Sequence, residues 1–242
     1  MQEIEWRGFK GYEFEFEGLS AKLITPNCTP NGKWLLKTEY FDAFPETEIE
    51  LLGRGWHLAY NKNYNRWAEE LDLKRKASFL EYIPKTFGLN EKVVLVGMSC
   101  GGLYAVKLAA RNPERIQGIY LDAPVMNLLS CPANLGKANG ASFEEYTRFT
   151  GRTLVDMLSY REHPIDKMHI LAEYKIPVVM VSGDSDTVVP YDENGALLEK
   201  MYKQNNLSLQ VFIKKGGDHH PHGLDETSIV ADIIEKFGVE YV

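Results

Sequence analysis

The stretch from Glu91 to Pro113, "EKVVLVGMSCGGLYAVKLAARNP", passes from an apolar run through a glycine-framed serine into a helical pattern. "VVLV" is apolar at every position rather than every second one, the mark of a strand buried on both faces. "GGLYAVKLAARN" carries small residues on one side, and Pro113 stands just past its end, where helices commonly stop. Between the two, Gly97-Met98-Ser99-Cys100-Gly101 is a G-x-S-x-G. A strand leading straight into that pattern and a helix leaving it describe a strained turn that lifts one side chain above a sheet edge.

Two nucleophile-capable side chains sit there, and the thiol of Cys100 is intrinsically the stronger. The glycines decide between them. Centred on Ser99, the positions two before and two after are Gly97 and Gly101; centred on Cys100 they are Met98 and Gly102, and a methionine side chain collides with so tight a turn. Ser99 is therefore the candidate nucleophile. Cys100 is expected to act through its backbone N–H, at a helix N-terminus that favours a developing negative charge.

Outward from this stretch, "KWLLKTEYF", "GWHLAY", "RIQGIYLDAP", "IPVVMVSGD" and "LSLQVFIKKGGD" read as further strands. "PETEIELLGRG", residues 67–87, "NGALLEKMYKQ" and "DETSIVADIIEKF" read as helices, with Gly88 placed for a left-handed cap. "GYEFEFEGLSAKLITPN" alternates apolar and polar residues around Gly18, as an antiparallel strand pair does. The expected fold is thus α/β over residues 1–242 as one domain. It has a mostly parallel central sheet, an N-terminal antiparallel pair and helices on both faces. Residues 126–174 hold no clear strand and several aromatics (Phe143, Tyr146, Phe149, Tyr160), and are expected to form a small helical cap.

A serine nucleophile needs a base at neutral pH. Of six histidines, three cluster in "GGDHHPHGL" after the last strand; His219 follows the strand most closely and His220 is its rival. The same loop offers Asp218, His219, His220 and His222 as zinc ligands. It lacks helical i, i+4 spacing and a second ligand cluster, so no metal and no cofactor is expected. The orienting acid should stand on another sheet edge. Asp186 in "VSGDSDTVVP" is preferred, with Asp184 expected to serve the turn itself and Asp122 in "IYLDAP" as a third option.

The order Ser99, Asp186, His219 around an elbow resembles the α/β-hydrolase superfamily, and the likeness spans nearly the whole chain. "GDSDTVVP" is similar to the family's G-x-x-D-x-x-V-P acid loop and "GGDHHPHGL" to its G-x-x-H loop, which implies Asp186 and His219 in those roles. "GMSCGGLYAVKLAARNPERIQGIYLDAPV" is similar to small bacterial esterases, some of which accompany carbohydrate breakdown. The family commonly has His-Gly after the third strand; here Thr38-Glu39-Tyr40 follows "WLLK". By position the backbone N–H of Glu39, with Tyr40 next, would complete the oxyanion site with Cys100.

These readings imply a serine hydrolase that cleaves a carboxylic ester through an acyl-enzyme, with a small-molecule or saccharide ester as substrate. Asn61 and Tyr64, in the polar loop "YNKNYNRWAEE", are candidate substrate contacts. The competing readings are an amidase or peptidase of the same fold and a binding protein that uses the scaffold without catalysis. The chain is acidic, with 27 basic and 34 acidic residues and a net charge of -7, and has no basic run, which disfavours nucleic acid and anionic membranes. Three cysteines form neither a CxxC pair nor a disulfide framework. The N-terminal "MQEIEWRGFK" lacks a basic-then-apolar leader, so a cytoplasmic home is expected, or a periplasmic one if a leader has been removed.

Overall fold

Because successive side chains of a strand face opposite ways, a strand apolar at every position needs cover on both sides. β4 (Trp34–Lys37) and β6 (Val93–Met98) are such strands, buried along their whole length. Trp34, Leu36, Val93 and Leu95 join one core, while Leu35, Val94 and Val96 join the other. The structure is a computed structural model that describes residues 1–140 and 142–238. Position 141 of the expected cap and the last four residues of the expected domain lie outside the described residues.

The remaining strands are β1 (Gln2–Trp6), β2 (Phe9–Phe16), β3 (Leu19–Ile24), β5 (His57–Asn61), β7 (Ile116–Asp122), β8 (Val178–Gly183) and β9 (Leu209–Lys214). All nine form one sheet in the order β1-β2-β3-β5-β4-β6-β7-β8-β9. β1, β2, β3 and β5 pair antiparallel in succession, and from β5 to β9 every pairing is parallel. The parallel strands therefore all end at one edge, and their following loops converge there.

α1 (Glu46–Gly53) and α8 (Thr227–Glu235) cover one face, contributing Leu51, Leu52, Val230 and Ile234 to its core. α2 (Glu70–Phe87), α3 (Gly101–Arg111), α6 (Pro164–Glu173) and α7 (Gly195–Gln204) cover the other, with Phe79, Leu103, Leu171 and Leu198. The expected strand pair is the β2–β3 hairpin, turning at Glu17 and Gly18 with φ of 46° and 80°.

Three boundaries differ from the sequence reading. β1 was not expected; it pairs with β2 through a turn at Arg7 and Gly8, both at positive φ. α2 begins at Glu70 rather than Trp67, because Ala68 is left-handed (φ 52°) and Glu69 is extended. Its far end is as read, with Gly88 left-handed and its N–H on the Pro84 carbonyl. Within the expected cap, α4 (Phe143–Thr150), α5 (Leu154–Ser159) and α6 follow one another, but α6 packs against α3 in the helix layer over the sheet.

Candidate active site

β6 ends at Met98 and α3 begins at Gly101, so only Ser99 and Cys100 make the turn. Ser99 is left-handed, with φ of 50°, a conformation that costs a non-glycine residue on the order of 1–3 kcal/mol and persists only where its surroundings fix it. They do: the Ser99 N–H donates to the Asp122 carbonyl, while the Ser99 carbonyl accepts from Gly102 and Val125. A Cβ at Gly97 would lie 2.7 Å from the Cβ of Ala105 and 2.9 Å from the Gly101 carbonyl oxygen, so strand and helix can meet this closely only across a glycine.

Ser99 Oγ lies 3.1 Å from His219 Nε2, and His219 Nδ1 lies 2.7 Å from Asp186 Oδ2. A ring nitrogen facing a carboxylate at that distance carries the proton, which leaves Nε2 free to accept from the serine hydroxyl. The other Asp186 oxygen, Oδ1, accepts from the N–H groups of Val188 (2.9 Å) and Val189 (2.8 Å). Burial pushes the Asp186 carboxyl up, but the bond from His219 and those two amides outweigh it, and the group is held below the usual carboxylate range. The loops bearing the two residues approach across another glycine, since a Cβ at Gly183 would lie 2.1 Å from the Gly217 carbonyl oxygen.

The two other candidate acids have different partners. Asp184 Oδ1 accepts from Gly216 N–H (2.7 Å) and from the Ser185 hydroxyl, so it holds its own turn. Asp122 pairs instead with His222: its Oδ1 lies 2.7 Å from His222 Nδ1, and its Oδ2 accepts from Gly223 N–H and the Tyr120 hydroxyl. His220 is exposed and stacks on Phe44. His219, His220 and His222 bring one ring nitrogen each within 4.8 Å of one another. His163 caps α6 and accepts from Leu128 N–H, His57 is buried in β5, and His169 is exposed.

Ser99 opens into a cavity of about 390 Å³ whose walls include Tyr40, Phe44, Trp67, Cys131 and Val188, with Cys100 beside the serine and His219, His220 and His222 at one end. Among the described lining residues Arg66 is the one side chain with a permanent charge. Of the oxyanion candidates, Cys100 and Tyr40 line this cavity and Glu39 does not. Glu39 turns its carboxylate to the Asn63 side-chain amide and, at 3.4 Å, to the following Tyr40 N–H. Burial pushes the Glu39 carboxyl up against the pull of Asn63 and of Lys76.

The two candidate substrate contacts are not brought to the cavity. Asn61 is fully buried, and its Oδ1 accepts from Lys76 Nζ at 3.0 Å. Tyr64 is exposed, with the Arg75 guanidinium over its ring. The aromatics of residues 126–174 do not line the cavity either: Tyr146 packs edge-on against Trp67, Phe143 stacks on Tyr146, and Phe149 is exposed. Sequence reading passed over Arg66, Phe44 and Trp67, which carry no motif, and took His222 only as a metal ligand.

The strand order, the elbow and the loops gathered at the carboxyl edge define an α/β-hydrolase. The prolyl oligopeptidase family matches residues 50–237, and the chain belongs to that family. The pimeloyl-[acyl-carrier protein] methyl ester esterase of Neisseria meningitidis serogroup B is 28% identical over 152 residues, covering 47% of this chain and 58% of the esterase. Est1E from Butyrivibrio proteoclasticus shares the fold with a TM-score of 0.62 at 19% identity, over 98% of this chain and 96% of its own. Porphyromonas gingivalis dipeptidyl peptidase 4 does so with a TM-score of 0.71 at 14% identity, over 94% of this chain and 35% of the peptidase. The chain thus spans little more than half of the esterase and about a third of that peptidase. The family and these relatives are of the peptidase and esterase kind, and the chain is similar to them over the spans given. Among the described residues no helix is long and apolar enough to cross a membrane.

Proposed function

We propose that the protein hydrolyses carboxylic esters through an acyl-enzyme on Ser99. In this reading Ser99 Oγ attacks the ester carbonyl carbon as its proton passes to His219 Nε2. Asp186 holds the imidazole tautomer and stabilises the imidazolium. The tetrahedral oxyanion is met by the Cys100 N–H and, across the cavity, by the amides of the Glu39–Tyr40 segment, Tyr40 being the one that lines it. His219 returns the proton to the departing alkoxide, and a water repeats the sequence to release the acid.

The observation that carries the choice of an ester is the cavity wall. It is aromatic and aliphatic beside Ser99, and none of its described lining residues is a carboxylate that would pair with a peptide's free amino terminus. The hydroxyl-rich alcohol that the asparagine loop suggested has no such support, since Asn61 and Tyr64 stand away from the cavity. The family match favours the second reading, amide or peptide hydrolysis, which uses the same residues.

A fluorophosphonate probe and a short-chain nitrophenyl ester test the proposal together. The probe is expected to label the wild type at Ser99, and Ser99→Ala is expected to lower ester turnover by on the order of 10⁴-fold or more. Activity retained in Ser99→Ala would overturn it. Faster cleavage of the matched amide than of the ester would replace it with the second reading.

A further inference from the structure

Arg66 is the permanently charged side chain of a cavity whose wall is apolar away from the histidines and Ser99, and two contacts hold it there. Its guanidinium lies over the Trp67 ring at 5.1 Å and is ion-paired through Nη2 with Glu145 of α4. Its charge bears on the Tyr40 hydroxyl and the Cys100 thiol, the two residues that border Ser99 on the oxyanion side. With Glu145 on Nη2, the guanidinium still has donors to offer: the side chain is 35% exposed and lines the cavity. A charged donor facing a largely apolar wall gains most from an acceptor that is itself charged. A guanidinium presents its donors as a planar fork that suits a carboxylate, and one fork can serve two carboxylates on different edges.

The remaining wall sets what lies between the ester carbonyl and that acceptor. Phe44, Trp67, Cys131 and Val188 offer apolar contact, and no further charged group competes for a polar tail. The cavity, about 390 Å³, holds a chain of several carbons with a polar end and little more. We infer that Arg66 makes this site selective for esters whose acyl chain ends in a carboxylate, the half-esters of dicarboxylic acids, with the free carboxylate accepting from Arg66. Glu145 then has two functions: it orients the guanidinium and lowers its net attraction for the incoming anion. This inference rests on the ester-hydrolase reading of Ser99.

The test compares mono-4-nitrophenyl adipate and suberate with the same compounds methyl-capped on the free acid, at equal chain length and with the same leaving group. Wild-type kcat/KM is expected to favour the free acid by about tenfold or more, as one charge-assisted bond of about 1.5 kcal/mol would give. The preference should lie mainly in KM. Arg66→Gln is expected to bring the ratio close to one, Arg66→Lys to keep part of it, and Glu145→Gln to raise it. A wild-type preference for the capped ester would overturn the inference while Ser99 still labels with the fluorophosphonate probe, and so would a ratio unmoved in all three variants. Failure of that labelling would overturn the hydrolase reading and this inference with it. The wild-type ratio and the Glu145→Gln shift decide the matter even if Arg66→Gln does not fold.

Discussion

Two aspartate–histidine pairs stand side by side at the carboxyl edge of the sheet, each closed by a 2.7 Å bond to a histidine Nδ1, and one of them reaches the serine. Asp186 sits in the loop after β8, anchored by two local amides, and aims His219 at Ser99. Asp122 is the last residue of β7, in register with Met98 beside it on β6. Its carbonyl takes the Ser99 N–H while its carboxylate takes His222 and the Gly223 N–H. It thus ties the elbow to the loop that carries His219. An acid–imidazole pair is therefore not in itself a sign of proton transfer; what the far nitrogen faces separates a candidate base from a brace.

The difference between the pairs is open to direct attack. The largest effect is expected from Asp186→Asn, which leaves the histidine in the wrong tautomer and should lower kcat on a nitrophenyl ester by about 10⁴-fold. An equally large loss in Asp122→Asn would erase the distinction. His222→Ala removes the brace but not the base. A misplaced imidazole should cost between about 10- and 100-fold in kcat, with KM little changed. A loss as large as that from Asp186→Asn would make the second pair part of the chemistry. The smallest effect is expected from Cys100→Ala, which keeps the backbone N–H and should stay close to wild-type activity. A dead variant there would move the nucleophile question back to the thiol.

The parallel half of the sheet was legible because burial on both faces forces continuous apolar runs, as in "VVLV" and "WLLK". β1 was not: "QEIEW" is short, its glutamates face solvent, and it becomes a strand only by adding to the β2 edge. The start of α2 was read three residues early because the Trp67 pattern is apolar for another reason, packing on Tyr146 and lining the cavity. At the site, Ser99 could be read from its glycines alone, since the steric demand of the elbow is local. Asp186 was preferred for its place in the loop beyond β8, while Asp122 ends β7 at the same edge; which histidine each meets is a tertiary fact that spacing does not carry. Arg66 left no trace in the sequence, being one arginine in a polar loop that tertiary packing turns inward.

The three thiols differ in a way that matters at the bench. Cys100 and Cys131 are buried, and burial pushes the Cys100 thiol up to about 11, leaving it almost wholly protonated at neutral pH. Cys28 alone is exposed, in the connection that enters β4 from its amino end, whereas the segment leaving that strand lines the cavity. A maleimide dye or a resin linker therefore has one address on the native chain, on the side away from the cavity mouth. The protein can be tethered or made fluorescent there without changing a residue.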